Sequence, residues 1–278
     1  MIAENIKVNS GKGVITTNLY KPKNSIAVVV ICSGTGIKQV FYADLAKWLC
    51  GKYITVITFD YSGIAQSLNG NIKSIKSNLI DWAGELDAVV SFAKETFPNH
   101  PLILIGHSLG GQLIGFAQNS LLCDKIILVA AQSGYWGFWK GLSKIKMFLT
   151  WYIIVPLLTG IKGYFSAKLI SKMENLPKQV ALQWTQWCRN KNYFYAEMKK
   201  EATFFHLSQS NILSISIEDD DYAPKEAVDW LTFQFTNTTI TRRHIKPGDY
   251  GLKSIGHFGF FKSAGKGMGS KIIKFIEE

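Results

Sequence analysis

Leu102-Ile103-Leu104-Ile105-Gly106-His107-Ser108-Leu109-Gly110-Gly111 is the stretch that decides how this chain is read. An apolar run leads straight into G-x-S-x-G, and a helix rich in small residues (Gly110, Gly111, Gly115, Ala117) follows. A strand that turns at once into a helix holds the central residue, Ser108, on a strained bend with its hydroxyl exposed. Flanking glycines are needed there because neighbouring backbone passes too close for side chains. The helix N-terminus favours negative charge developing beside Ser108. The bare pattern is weak, but the strand before it and the helix after it make Ser108 a candidate nucleophile rather than part of an ordinary glycine-rich turn.

Outward from this point the chain alternates strand and helix. Residues 2–8 and 14–20 read as an antiparallel pair, and Ile26–Cys32 is a continuous apolar run, as in a strand buried on both faces. Ile54–Phe59 is the next strand. Leu79, Trp82, Ala83, Leu86, Val89, Val90 and Ala93 then mark one face of a helix. Strands follow at Pro101–Ile105 and Lys125–Ala131, and after a break at Asn211–Ile217 and Thr238–Ile245, with helices over Lys225–Phe235 and Lys266–Glu278. This pattern predicts an α/β fold with a mostly parallel sheet and helices on both faces. The expected core is 1–133 and 206–278, with 134–205 inserted as a helical cap.

At 278 residues, with 47% hydrophobic residues and a mean hydropathy of +0.08, the chain can bury a sizeable core. Its net charge of +11 is unevenly placed: residues 134–205 carry 11 Lys and Arg against 3 acids, and five of the eight tryptophans (Trp136, Trp139, Trp151, Trp184, Trp187). That insertion predicts aromatics lining a pocket mouth and lysines meeting an anionic partner: a lipid headgroup, a membrane surface or an acidic leaving group such as coenzyme A. The alternative is a solvated lysine face. Met147–Gly160 is the most apolar stretch; fourteen residues with an internal Pro156 read as too short for a membrane span and as a core or cap helix, with shallow membrane contact as the second reading. Aromatics among basic residues also suit single-stranded nucleic acid, but no nucleic-acid fold signature accompanies them, so none is expected as a partner. The four cysteines (Cys32, Cys50, Cys123, Cys188) are scattered and read as reduced core residues. With no secretory signal visible, the expected location is cytoplasmic, with peripheral membrane contact as the second reading.

A serine hydroxyl needs a base and a carboxylate that sets the base's tautomer, in the chain order Ser, acid, His for this kind of elbow. Of five histidines, His107 lies within the elbow, His100 before its strand, His206 at the insertion's exit and His244 in a strand. His257 remains, in a glycine-flanked loop (Gly256-His257-Phe258-Gly259) where an aimed imidazole is expected. The acid should follow strand 211–217, where Glu218-Asp219-Asp220-Asp221 stand before Pro224. The usual spacing, four residues before the proline, selects Asp220, with Asp219 and Asp221 as alternatives. For the oxyanion, the expected donors are the Leu109 N–H and one from Gly34-Thr35-Gly36, taken as Thr35 with Gly36 second. No metal-ligand spacing, phosphate loop or dinucleotide fingerprint is present, so no cofactor or metal is expected.

Taken together, GTGIKQVFY (34–42), FDYSGIAQS (59–67), GHSLGGQ (106–112), EDDDYAP (218–224) and IGHFGFF (255–261) resemble the α/β-hydrolase superfamily over nearly the full length. The resemblance is to the bacterial branch related to monoacylglycerol lipases and serine aminopeptidases. It implies an eight-stranded sheet, a cap over the site and a Ser108–Asp220–His257 triad. Two departures stand out: Ser62 and Ala65 replace the Arg and second Gly of D-x-R-G-x-G-x-S, and Ser33-Gly34 stands where relatives carry His-Gly.

The expected activity is therefore cleavage of carboxylic esters of apolar acyl groups through an acyl-enzyme. Thioester, acyl-transfer and peptide chemistry use the same triad. Peptidase action ranks lower because the insertion offers only Glu174, Glu197 and Glu201 to hold a substrate amine. A silent pocket that binds an apolar ligand is the reading from another class.

Overall fold

The computed structural model describes residues 3–262 and 267–278. Eight strands form one sheet: β1 (Glu4–Asn9), β2 (Val14–Tyr20), β3 (Ala27–Cys32), β4 (Ile54–Phe59), β5 (Leu102–His107), β6 (Lys125–Val129), β7 (Asn211–Ile217) and β8 (Ile240–Ile245). Their spatial order is β1-β2-β4-β3-β5-β6-β7-β8. β1 and β2 run antiparallel to their neighbours, and all pairs from β4 to β8 are parallel. Every residue of β3, β4 and β5 is buried, which is why these segments read as unbroken apolar runs. Strand and helix ends differ from the sequence reading by a few residues. Ile2 and Lys266, at the ends of two expected elements, lie outside the described residues. Cys32, Cys123 and Cys188 are buried free thiols, and Cys50 is buried as well.

Helices α1 (Ala43–Cys50), α2 (Leu79–Thr96) and α3 (Leu109–Ile114) pack on the sheet. α2 starts where Asn78 accepts from the Ile80 and Asp81 amides at 2.9 Å and Asp81 answers the Asn78 N–H at 3.0 Å, a reciprocal cap. Its inner face holds the seven apolar residues read from periodicity, and one residue that was not: Glu85, 2% exposed. Glu85 accepts from the Ser62 N–H at 2.9 Å, Ser62 Oγ meets Ser77 Oγ at 2.7 Å, and the Trp82 indole donates to the Ser62 carbonyl at 3.1 Å. This hub braces the loop that carries Ser62.

Burial pushes the Glu85 carboxyl up to about 7, against the Ser62 hydrogen bonds, with Asp81 adding to the rise. The folded chain thus binds a proton that the unfolded chain has lost between about 4.5 and 7. Stability from neutral Glu85 is therefore present at the acidic end of that window, falls as pH rises through it, and levels off above it. Glu85→Gln should remove this slope, so the urea-unfolding free energy of the variant should gain about 3 kcal/mol on wild type between the two ends. Parallel pH curves for the two proteins would refute the assignment.

Residues 134–205 contribute no strand to the sheet. Their longest element corrects the sequence reading. The helix is continuous over Gly141–Lys162, 22 residues, and is built from Gly141–Leu149, a wide turn at Thr150–Ile154, and Val155–Lys162. Pro156 does not end it. A proline within a helix lacks an N–H and crowds the carbonyl four residues back, and the wider π turn opens room for the ring. The carbonyls this leaves over are taken by a residue far along the chain: Arg189 Nε donates to Trp151 O at 3.0 Å and Nη2 to Tyr152 O at 3.4 Å, with the guanidinium 4.7 Å from the Tyr152 ring. Of the two packed readings, core helix or cap helix, the first does not hold, since much of the helix's apolar surface faces outward. Trp187 is fully buried among Phe116, Tyr193 and Phe194, and Trp151 packs edge-on to Trp184 at 4.7 Å.

Candidate active site

The candidate residues converge at the carboxyl edge of the parallel sheet, where the loops after β3, β5, β7 and β8 meet. Ser108 follows β5 with φ 51° and ψ −121°, a left-handed backbone uncommon outside glycine. Two close approaches produce that bend. A Cβ on Gly110 would lie 2.1 Å from the Cys32 carbonyl oxygen, and one on Gly34 would lie 3.3 Å from Ser108 Cβ. The glycines therefore let α3 and the β3 loop press against the serine.

Asp220 and His257 are joined as expected. The His257 Nδ1–H donates to Asp220 Oδ2 at 2.8 Å with both side chains buried. Asp220 Oδ1 accepts from the Tyr222 and Ala223 amides at 2.8 and 3.0 Å, so each carboxylate oxygen has a fixed task. His257 lies in the first turn of a short helix, Gly256–Lys262, and not in a loop as the flanking glycines suggested. That helix start is held by Asp219, which accepts from Ser254 Oγ at 2.6 Å, Ile255 N at 2.9 Å and Gly256 N at 3.0 Å. Partial burial pushes Asp219 up, but the Ser254 hydroxyl and the Gly256 and Ile255 amides outweigh it and hold its carboxyl below the usual range. Asp221 offers its backbone carbonyl to the Trp139 indole at 2.7 Å. Of the three aspartates, Asp220 is the one that meets the imidazole.

The serine is not yet engaged. Ser108 Oγ faces the Gln132 amide, both its oxygen and its nitrogen at 3.4 Å, and makes no hydrogen bond to His257. Gln132 Nε2 also donates to Tyr222 O at 3.2 Å, and Gln112 Nε2 donates to Gln132 O at 2.6 Å. The expected oxyanion donors are free for a ligand: the Leu109 and Thr35 amides have no acceptor among the described residues, and the buried Thr35 hydroxyl has no partner either. The Gly36 carbonyl accepts from Glu174 N at 2.8 Å, so the segment around Glu174 rests on this turn.

His107, set aside as the variable residue of the elbow, ties the site together. Its Nε2 faces the His257 carbonyl at 3.0 Å and must carry the proton, so Nδ1 accepts from Tyr42 Oη at 2.8 Å. Tyr42 Oη in turn accepts from Gly34 N at 3.0 Å. Burial, and to a lesser extent His257, holds the His107 imidazole well below the usual histidine range, which keeps it neutral as this bonding requires. Asp60 anchors the same loop through Gln39, accepting from its N at 2.8 Å and its Nε2 at 3.0 Å. Neither His107 nor Gln132 carries a sequence signal, since each works through contacts far along the chain.

This sheet and elbow define a serine hydrolase of the α/β-hydrolase class, and the comparisons agree. Residues 23–162 match the family described as serine aminopeptidase, S33, and the chain belongs to that family. No curated protein matches the chain in sequence. Among solved structures, a thermostable carboxyl esterase from Bacillus coagulans superposes with a TM-score of 0.68 at 13% identity, covering 100% of this chain and 98% of its own. An esterase from Exiguobacterium antarcticum gives 0.62 at 14% identity, covering 99% and 100%. A lidless α/β serine hydrolase from Xanthomonas campestris gives 0.56 at 14% identity, covering 99% and 95%.

Proposed function

We propose that the protein hydrolyses carboxylic esters of apolar acyl groups through an acyl-enzyme on Ser108. The observation that carries this is the buried His257–Asp220 bond of 2.8 Å beside a serine held at φ 51°. In this reading Ser108 Oγ attacks the ester carbonyl and His257 Nε2 takes its proton. Asp220 steadies the imidazolium, and the Leu109 and Thr35 amides hold the oxyanion. His257 then returns the proton to the leaving alcohol, and water repeats the cycle on the acyl-enzyme. The hydroxyl must turn from Gln132 to His257 first, and apo sites commonly tighten only with substrate bound. Phe258 and Tyr222 stand partly exposed beside His257, with ring centroids 5.1 and 5.5 Å from it, an apolar rim suited to a hydrocarbon group. Residues 134–205 serve as the cap, since Glu174 sits on the Gly36 turn.

Peptide cleavage from a free amino end is less well supported. Glu174 is held by Lys168 at 2.6 Å and Lys38 at 2.8 Å, and Glu197 by the Trp187 indole at 2.7 Å, which leaves neither free for a substrate amine. A silent binding protein is the second reading, favoured by the serine's contact with Gln132. A fluorescent fluorophosphonate separates the two. The wild type should label, while Ser108→Ala and His257→Ala should not, and a panel of soluble esters should then favour longer acyl chains. A folded wild type that stays unlabelled would overturn the enzymatic reading.

A further inference from the structure

The helix Gly141–Lys162 presents a face that the rest of the chain leaves uncovered. Leu142, Ile145, Leu149, Ile153, Leu157 and Ile161 are all exposed, Leu142 to 86% and Ile161 to 69%. They recur every three or four residues. Steps of four drift by about 40° each around a regular α-helix. The wide turn at Thr150–Ile154 takes up part of that drift, so the stripe holds one side of the rod. Trp151, Val155 and Thr159, four apart, are buried on the other.

The charge around this stripe is of one sign. No Asp or Glu occurs between Asp124 and Glu174, whereas Lys140, Lys144, Lys146, Lys162, Lys168 and Lys172 all fall there. Lys140 pairs with Glu226 and Lys168 with Glu174; the other four have no carboxylate partner among the described residues. We propose that this helix docks in the headgroup layer of an anionic bilayer, with the acyl chains covering the apolar stripe and the lipid phosphates meeting the lysines. The helix is long and apolar enough to cross a bilayer. Its inner face is fastened to the body, however, through the buried Trp151, Val155 and Thr159 and through Arg189, so it lies along the surface and does not span it. A second copy is a poorer occupant: a two-fold contact through this helix would set its lysines against themselves, with no acid on the helix to answer them.

The test reads binding and not turnover, so it stands or falls apart from the ester reading. The full chain is floated with vesicles of phosphatidylcholine alone and of phosphatidylcholine mixed with phosphatidylglycerol, at low and high salt. Wild type should bind the anionic vesicles at least about tenfold better than the neutral ones and lose that advantage in high salt. Leu142→Ser/Leu157→Ser/Ile161→Ser and Lys144→Gln/Lys146→Gln/Lys162→Gln change only outward side chains, and each should weaken binding by about tenfold or more. Two independent sets keep the test open if one folds poorly, which circular dichroism would reveal. The proposal is overturned by equal binding to both vesicle types, by binding that neither variant weakens, or by no binding at all. It is likewise overturned by a dimer that the serine variant converts to monomer.

Discussion

Asp220→Asn should lower kcat for a soluble ester about ten-thousandfold while leaving KM and the unfolding midpoint nearly unchanged. The reason lies in how the two carboxylate oxygens are used. Oδ1 accepts two backbone amides, from Tyr222 and Ala223, and so must remain an oxygen in the variant. The asparagine nitrogen then faces His257 Nδ1, where Asp220 Oδ2 now accepts at 2.8 Å. An amide nitrogen there donates, which forces Nδ1 to accept and moves the ring proton to Nε2. An imidazole protonated on Nε2 cannot take the Ser108 proton. The geometry survives and the tautomer is wrong, so the loss falls on the chemical step.

The neighbouring aspartates supply the contrast. Asp219→Asn keeps an oxygen for only one of the two amides, since Ile255 N donates to Oδ2 and Gly256 N to Oδ1, and also removes the charge of the cap; it should cost about tenfold through a looser helix start. Asp221→Asn should be close to wild type, because the carbonyl that Trp139 uses is backbone. Steady-state kinetics on the three single variants decides the matter. If Asp219→Asn were as damaging as Asp220→Asn in a folded protein, the assignment of the acid would be wrong.

Why these residues were legible and others were not follows from where their information sits. Ser108 announces itself because a strand, a tight turn and a helix are all written in consecutive residues. His257 and Asp220 could be placed because the chain order and the proline at 224 narrow the field to one loop each. The periodicity of α2 recovered its apolar inner face but passed over Glu85, since a carboxyl among apolar positions reads as the edge of the stripe. The helix Gly141–Lys162 was under-read for a related reason. Lys144, Lys146 and Pro156 look like interruptions to a simple 3.6-residue period, and the means of tolerating the proline are a π turn and an arginine more than thirty residues away. Gln132 and the Tyr42–His107 pair belong to the same group: their partners are set by the packing of loops after different strands, which no local pattern records.

Gly110→Ala should destabilise the fold by about 3 kcal/mol or more and abolish fluorophosphonate labelling with it. The added methyl would sit 2.1 Å from the Cys32 carbonyl oxygen, 2.5 Å from its carbon and 2.7 Å from the Ser33 oxygen, all of them backbone. No side chain can rotate aside to relieve this. β3 cannot retreat, because it is hydrogen-bonded between β4 and β5 in the middle of the sheet. α3 cannot shift sideways either, since the next glycine, Gly111, already leaves only 2.4 Å between an added Cβ and the Ala131 methyl carbon. The strain must open the turn at Ser108, which moves both the hydroxyl and the Leu109 amide from the positions the chemistry needs. A matched control is Gly84→Ala on the exposed side of α2, where an added Cβ meets nothing within 4 Å. There the same substitution should stabilise by about 0.5–1 kcal/mol, through helix propensity and a less flexible unfolded chain. Urea unfolding of the two variants beside wild type measures both signs in one experiment. A Gly110→Ala protein that unfolds at the wild-type midpoint would mean that the elbow is not clamped between β3 and α3, and the account of why Ser108 is held at positive φ would fall with it.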